Sequence, residues 1–373
     1  MNVLALNCGS SSLKYQVVTL DDRGDITDRP VRDTVERIGG DYGRAVGQAL
    51  DALAVRRMRV DAVGHRVVHG GERTAPATLD PATIAALDAL VELAPLHNAP
   101  AVATIRAARD RLPSIPHVAV FDTAFHATLP EWAREYAIPR DLARRHGIRR
   151  YGFHGLAYRS VLARYAALTK IAESDATIVA LHLGSGCSAA AIAGGRSVDT
   201  SMGMTPLEGL VMRTRSGDLD PAIVALLARR ENVAVDEVHR WLEERSGLSG
   251  LAGGRADVRD LLARVRTDAD ARLAVDVFCY RARKYVGSYL AALGGAQAIV
   301  FSGGIGEHQP EIRAQICEGL GWAGLELDAD ANRAAVGVEA RISAPSARLA
   351  AWVIPADEEA MMACDAWSTI RGS

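Results

Sequence analysis

The 373-residue sequence is poor in the residues that would cross-link it. Its five cysteines, Cys8, Cys187, Cys279, Cys317 and Cys364, are an odd number, widely spaced and without a CxxC pair. That excludes a disulfide framework or a zinc cluster as the basis of the fold and fits a reducing cytoplasm. Charge of either sign is equally unremarkable: 45 acidic and 43 basic residues leave a net charge of −2. No global field attracts a polyanion, so neither nucleic acid nor a membrane surface is an expected partner, and any anion must be held by local geometry. Lysine is the scarcest charge, with only Lys14, Lys170 and Lys284 beside 40 arginines. Base composition accounts for such a bias, but it draws attention to a lysine next to a Gly/Ser loop. The longest uncharged stretch, between Lys284 and Glu307, is broken by six glycines and reads as helix, turn, strand and turn, not as a membrane span. The start, Met1-Asn2-Val3-Leu4-Ala5-Leu6, has no basic n-region and is no signal peptide.

What the chain does have is an apolar fraction of 49% and enough length for two domains with real cores. Val3 to Asn7 reads as a buried strand, Cys8 to Ser12 as a turn and Leu13 to Thr19 as a second strand. The pattern returns 175 residues later: Thr177 to Leu183, the turn Gly184-Ser185-Gly186-Cys187-Ser188, then Ala189 to Ala193. Gly9 falls over Gly184 and Ser10 over Ser185, which implies two similar halves. A third strand, Ala298 to Phe301, leads into a glycine turn at 302–307. Helical patterns over 81–93, 100–111, 157–168, 221–231, 235–245, 269–292 and 310–320 alternate with these strands, which predicts an α/β protein. No low-complexity linker separates the halves, so they are expected to meet across a cleft, the usual place for a ligand.

Several segments carry chemistry. Asn7-Cys8-Gly9-Ser10-Ser11-Ser12-Leu13-Lys14 combines a glycine, three hydroxyls and a lysine in one turn, which is either an ordinary turn or a phosphate cradle. It is not a Walker A loop, because GxxxxGK[ST] is absent and a strand follows. Three glycine turns in two repeated halves favour a nucleotide approached closely by backbone, with the Pro310 helix start aimed at it. In Gly64-His65-Arg66-Val67-Val68-His69-Gly70-Gly71 the HxxxH spacing would suit zinc on a helix; the valines favour a strand, where residues four apart lie ~13 Å from each other. Arg66 is either a surface ion-pair partner or a bidentate grip on a carboxylate. Asp122 follows the apolar run Val118 to Phe121 and is either a helix N-cap or a strand-end site residue. His154 lies between glycines and aromatics in Tyr151-Gly152-Phe153-His154-Gly155, and Arg215 in the polar turn Thr214-Arg215-Ser216-Gly217-Asp218.

Together these segments resemble the acetate kinase family over nearly the whole chain. The resemblance is carried by residues 7–14, GHRVVHGG (64–71), LAPLHN (93–98), FDTAFH (121–126), RRYGFHG (149–155), HLGSG (182–186), TPLEGLVMRTRSGD (205–218), FSGGIGE (301–307) and IPADEEAMMA (354–363). It implies two duplicated actin-like, ribonuclease H-like α/β domains with an interdomain cleft, one over 1–148 plus 357–373 and one over 149–356, the second binding nucleotide and forming a homodimer. It implies the reaction ATP + acetate ⇌ ADP + acetyl phosphate with Mg²⁺ or Mn²⁺, in the cytoplasm. By resemblance Asp122, His154 and Arg215 are catalytic, and Arg66 binds the acetate carboxylate. Val68, Leu96, Phe153 and Pro206 surround its methyl group, and Asn7 and Glu358 associate with the metal. Ser10, Ser12, Lys14, His182, Leu183, Gly184, Ser185, Gly186, Asp257, Val258, Arg259, Gly304, Ile305, Gly306, Glu307 and His308 match nucleotide-contacting positions.

An acetate carboxylate is already ionised at neutral pH, so a general base has little to do, and Asp122 is expected to orient Arg66 or a metal-bound water. Departures from the family pattern are Ser185 and His308 where asparagines are usual, Leu156-Ala157-Tyr158 for Thr-Ser-His, and Arg213 where glycine is common. Ser185 and His308 bear on nucleotide affinity or choice. Alternatives are a kinase for propionate or another short acid and, from a different class, a non-catalytic actin-like nucleotide-binding protein.

Overall fold

In the computed structural model, residues 1–9, 11–254 and 257–372 are described, with the side chains of all but Leu93, Pro95 and Leu96. They fall into two compact units: the described residues of Met1–Ala127, Phe153–Ser160 and Asp357–Ser373, and those of Thr128–Gly152 and Val161–Ala356.

The first unit is built on β1 (Asn2–Cys8), β2 (Ser12–Leu20), β3 (Ile26–Glu36), β4 (Ala62–Val67), β5 (Ala77–Thr78) and β6 (His117–Phe121). Their order is β3-β2-β1-β4-β6-β5, with β1, β4 and β6 parallel and the other neighbours antiparallel. β1 is apolar on both faces because each is covered. Leu4 and Leu6 pack on one side with Ala45, Ala49 and Ala108. Val3 and Ala5 pack on the other with Met362, Ala363 and Ala366 of the C-terminal helix Glu358–Arg371. Each such fully buried aliphatic side chain contributes about 1.5–3 kcal/mol relative to exposure.

The second unit repeats the arrangement with β7 (Thr177–Leu183), β8 (Cys187–Ala193), β9 (Arg196–Thr200), β10 (Ala298–Ser302), β11 (Ala340–Arg341) and β12 (Ala350–Val353). Read from its other edge, its order is β9-β8-β7-β10-β12-β11, with the same parallel and antiparallel pairs. The 175-residue offset relates β1 to β7 residue for residue, and β2 and β8 begin at positions with the same separation. The register between strands matches too. His65 stands beside Leu6 in one unit as Phe301 stands beside Leu181 in the other. The duplication inferred from two short turns therefore extends through both sheets.

Several expectations change. The predicted glycine turn after β10 is a helix, Gly303–His308, with the Glu307 carboxylate accepting from the Gly303 N–H at 2.8 Å. The helix expected from Pro100 begins at Pro95, whose proline at the first helical position needs no N–H partner, and Pro100 lies inside it. The pattern over 81–93 resolves into the helix Pro81–Ala89 and a short 3₁₀ turn at Val91–Leu93. Strand β3 and the helices Tyr42–Val55 and Glu358–Arg371 were not anticipated. No helix among the described residues is long and apolar enough to cross a membrane.

Candidate active site

In an open α/β sheet the carboxyl ends of neighbouring parallel strands present their next side chains on one edge. In the first unit those ends are Asn7 on β1, Arg66 on β4 and Asp122 just past β6. Arg66 donates to Asp122 through Nε (3.2 Å to each oxygen) and Nη2 (2.7 Å), and through Nη1 to Asn7 Oδ1 at 3.1 Å. Its Nη1 also lies 3.2 Å from Glu358 Oε2. Asn7 Nδ2 is shared by Glu358 (2.9 Å) and Glu359 (3.0 Å), both in the first turn of the C-terminal helix, where backbone N–H groups favour negative charge.

Asp122 is fully buried. Burial pushes its carboxyl up from the usual range, and the Arg66 guanidinium pulls it back, as does the His154 backbone N–H that donates to it. Burial of Arg66 opposes its charge, but Asp122 and Glu358 outweigh that and raise its pKa. His154 itself has φ +58°, a left-handed conformation costly for a residue with a side chain. The following Gly155 is required, because a Cβ there would lie 2.0 Å from the Asp122 carbonyl oxygen.

Beside this cluster, Val68 and Phe153 are buried, and His69 packs edge-on against Phe153 at 5.6 Å. Asn98 fixes the His69 backbone from both sides, accepting from its N–H at 2.9 Å and donating to its carbonyl at 3.0 Å. The other histidine of the HxxxH run, His65, bonds to His117 at 2.9 Å. Lys14 is exposed and Ser12 half-buried, both on β2, whereas Ser10 and the Leu96 side chain lie outside the described residues.

In the second unit, β7 ends in the turn Gly184–Gly186, closed by the Gly184 N–H to the Gly186 carbonyl at 3.0 Å. Cys187 donates its thiol to the Gly184 carbonyl at 3.2 Å, and burial pushes that thiol up to about 12, so it is an inert anchor. His182 Nδ1 meets Ser302 Oγ at 3.1 Å. A cavity of about 490 Å³ opens here, lined by Gly184, Ser185, Asp257, Val258, Arg259, Gly304, Ile305 and His308 of the anticipated set, and by Arg213 and Gln309, which were not anticipated as site residues.

Leu183, Gly306 and Glu307 of the anticipated set do not line this cavity. Gly306 packs on Phe301, and Glu307 holds the N–H groups of Gly303 and Ala356 (2.8 and 3.4 Å). Behind them Arg313, fully buried, donates to the carbonyls of Gly306, Asn332 and Ala335 and to Asn332 Oδ1 at 2.6–2.8 Å. Burial draws its pKa down to about 10. Arg215 donates to the Pro206 carbonyl at 2.7 Å, so the loop bearing Pro206 sets the place of this guanidinium. That loop is held at Glu208, which bonds Tyr136 and takes an ion pair from Arg150 at 2.5 Å.

Sequence patterns gave no hint of Tyr136 or Arg313, which act from within the fold, and Arg150 stood inside RRYGFHG (149–155) with no role assigned to it. Glu359 had a visible signal, the paired acids that open the last helix.

The acetokinase family profile matches residues 2–364. The acetate kinase of Solibacter usitatus is 48% identical over 409 aligned positions, covering 100% of this chain and 99% of that protein. The chain belongs to the acetokinase family. With it the chain belongs to the kinases that transfer phosphate to a carboxylate. The Micrococcus luteus acetate kinase is likewise 48% identical, with full coverage of both chains. Among solved structures, the Porphyromonas gingivalis acetate kinase superimposes with a TM-score of 0.90 at 36% identity over 99% of each chain. A propionate kinase from Francisella tularensis gives 0.88 at 34% identity, over 98% of this chain and 99% of that one. Of the departures from the acetokinase pattern, Leu156, Ala157 and Tyr158 are buried packing residues, Tyr158 lying against the Phe125 and His126 rings. Ser185, His308 and Arg213 all line the one cavity.

Proposed function

We propose that the chain catalyses reversible transfer of the ATP γ-phosphoryl group to acetate, in the cytoplasm and as a homodimer. An acetate oxygen attacks the γ-phosphorus, the bond to the bridging oxygen of the β-phosphate breaks, and acetyl phosphate and ADP result. No proton leaves the acceptor. The observation that carries this reading is the Asn7–Arg66–Asp122–Glu358 cluster at the strand ends of a chain 48% identical to acetate kinases along its whole length.

A guanidinium has five N–H donors. Three of those on Arg66 are engaged by Asp122 and Asn7, and Glu358 takes the remaining side of Nη1, which leaves one hydrogen on Nη2 together with the charge for an incoming acid. The fork itself is closed on Asp122, which makes Asp122 the residue that orients Arg66. The buried Val68 and Phe153 border the methyl group. His154 and Arg215 neutralise the equatorial oxygens of the phosphoryl group in transit, where positioning and charge stabilisation supply most of the catalysis. The glycine turn at 184–186, the helix at 303–308 and the 257–259 segment hold the nucleotide.

The donor set of the first unit suits a small hard cation. Asp122 and Glu358 flank one half-buried guanidinium, and Glu359 bonds Asn7 beside them, with exposed Arg32 3.8 Å from Glu359. Among the described residues no group of three or more His, Cys, Asp or Glu is placed to hold a metal ion by itself. Mg²⁺ is bound by one or two carboxylates and completes its shell with water and phosphate oxygens. Asn7 and Glu358 would hold it, and it would offset charge on the β- and γ-phosphates. Exposed apolar side chains on the second unit, Leu226, Val235, Leu273 and Tyr280, support association through that unit. The five cysteines, all free, support a reducing compartment.

The test is acyl-hydroxamate formation with ATP and Mg²⁺ across formate, acetate, propionate and butyrate. Acetate is expected to give the highest kcat/KM. Propionate leading would move the assignment to the neighbouring acid, since one methylene is worth about 10- to 200-fold in an apolar pocket. No hydroxamate with any acid, and ATP-driven filaments instead, would overturn the enzyme reading.

A further inference from the structure

The cavity of the second unit holds one charge that the reading above leaves idle. Asp257 and Arg259 satisfy each other: the arginine donates through Nε at 2.9 Å and Nη2 at 2.8 Å, and its backbone N–H adds a third bond at 2.9 Å. His308 is committed through Nδ1 to the Gly304 carbonyl at 3.1 Å, with Nε2 turned toward Gly337. Arg213 is different. Its guanidinium is exposed, lines the cavity and is drawn into no side-chain hydrogen bond among the described residues, although its charge also acts on the Asp257 carboxylate. Its backbone, by contrast, is fixed: the N–H donates to the Ser185 carbonyl at 3.2 Å, and its own carbonyl accepts from Ser249 at 2.9 Å. An arginine on a pinned backbone, beside a glycine turn that lets backbone approach a ligand closely, is placed to meet an anion there.

The structure joins Arg213 to Ser185 by that backbone hydrogen bond. A short hydroxyl stands at 185, and the long cationic side chain rises from the residue bonded to it. We propose that Arg213 anchors the phosphates of the nucleotide beyond the first, and so sets the chain's preference for nucleoside di- and triphosphates over the monophosphate. This rests on the second unit being the nucleotide site and names the group in it that reads phosphate number. Guanidinium suits the task because its planar fork matches two phosphate oxygens at once, which an ammonium does not.

The experiment is calorimetric binding of ADP, AMP and adenosine to the full chain and to R213A and R213K, each at low and high salt, with thermal melts to compare folding. The side chain is exposed, so both variants are expected to melt with the wild type. R213A should weaken ADP about 10- to 100-fold, the range for losing charged hydrogen bonds, and reduce the salt dependence of ADP binding. AMP should change less than about threefold and adenosine not at all, and R213K should recover part of the loss. Unchanged ADP binding in R213A, or equal weakening of all three ligands, would overturn the proposal. Failure of the wild type to bind ADP would instead overturn the nucleotide reading on which it rests.

Discussion

The two units share one sheet topology and have filled it in opposite ways. Three equivalent strand ends carry Asn7, Arg66 and Asp122 in the first unit and, by the matching registers, His182, Ser302 and Ala356 in the second. The first unit thus places an ionic network at its edge, with a buried carboxylate locked on an arginine. At the same edge the second places His182 hydrogen-bonded to Ser302, and then Ala356. Where β4 continues to Val67, β10 turns at Gly303 with φ +74° into a helix. The one buried charge behind that helix, Arg313, meets only neutral acceptors. One scaffold therefore carries an ionic network past its strand ends in one unit and a glycine-opened turn and helix in the other, and the difference is made in a few residues past each strand end.

The comparison breaks most visibly in turnover. Arg215→Ala should lower kcat by about 10³, the lower end of what a phosphoryl-neutralising arginine contributes, and Arg66→Ala, which removes the group that grips the acid, should lower kcat/KM by about 10² or more, whereas Ser302→Ala, at the strand end equivalent to Arg66, should stay within about tenfold. A coupled assay of ADP formation measures all three. Retention of a tenth of wild-type turnover by Arg215→Ala, or of wild-type kcat/KM by Arg66→Ala, contradicts that residue's role.

Asp122→Asn is expected to cost about 10² in rate, because the fork of Arg66 loses its charged partner. Raising the pH should not restore it. Recovery at high pH would make Asp122 a base and not an orienting group.

Glycine dependence should separate the units by stability. A Cβ on Gly303 would lie 2.7 Å from the Leu183 carbonyl oxygen at a positive φ, so Gly303→Ala should destabilise by about 1–3 kcal/mol. Gly9→Ala, whose Cβ would meet only the Ser12 carbonyl oxygen at 3.8 Å, should change stability by less than about 0.5 kcal/mol. Denaturant unfolding of the two variants tests this, and equal losses would dissolve the contrast.

An effect that appears only on acidification lies in the first unit's buried histidines. Burial pulls both His65 and His117 below their ordinary value, with Arg109 also disfavouring the charge on His117 and the Leu112 carbonyl opposing the shift. Below about pH 6.5 the unfolded chain takes up protons that the folded chain refuses, so this stability is present above that pH and is lost as the pH falls. The slope reaches about 1.4 kcal/mol per pH unit for each proton. Thermal melts from pH 7 to 5 should show a falling Tm, and replacing both histidines by leucine should flatten it. An unchanged slope would place the sensitivity elsewhere.

Much of this was legible in the sequence where local pattern and tertiary demand agree. The strand, Gly/Ser turn and strand repeat carried the duplication because apolar runs ended by glycine have few other solutions. The Gly303–His308 helix was misread as a turn because its glycines oppose helix locally; Glu307 and Arg313 supply the bonds that stabilise it, and these come from side chains distant in pattern from any helix signal. The last helix was hidden by apolar residues of several sizes that look like no single face until both β1 and β4 are beside it. Arg66 and Asp122 were singled out from their places at strand ends. Their fork contact was not readable, since 56 residues separate them and only the parallel pairing of β4 with β6 joins them.

The division of labour between the units has one direct test: ADP affinity and hydroxamate formation measured side by side on Arg66→Lys. Acid recognition by Arg66 in the first unit and nucleotide binding in the second require turnover to fall by about 10² or more, because the planar fork on Asp122 is lost, with ADP affinity within about threefold of wild type. ADP affinity that collapses together with turnover, or turnover that survives the substitution, would contradict the account.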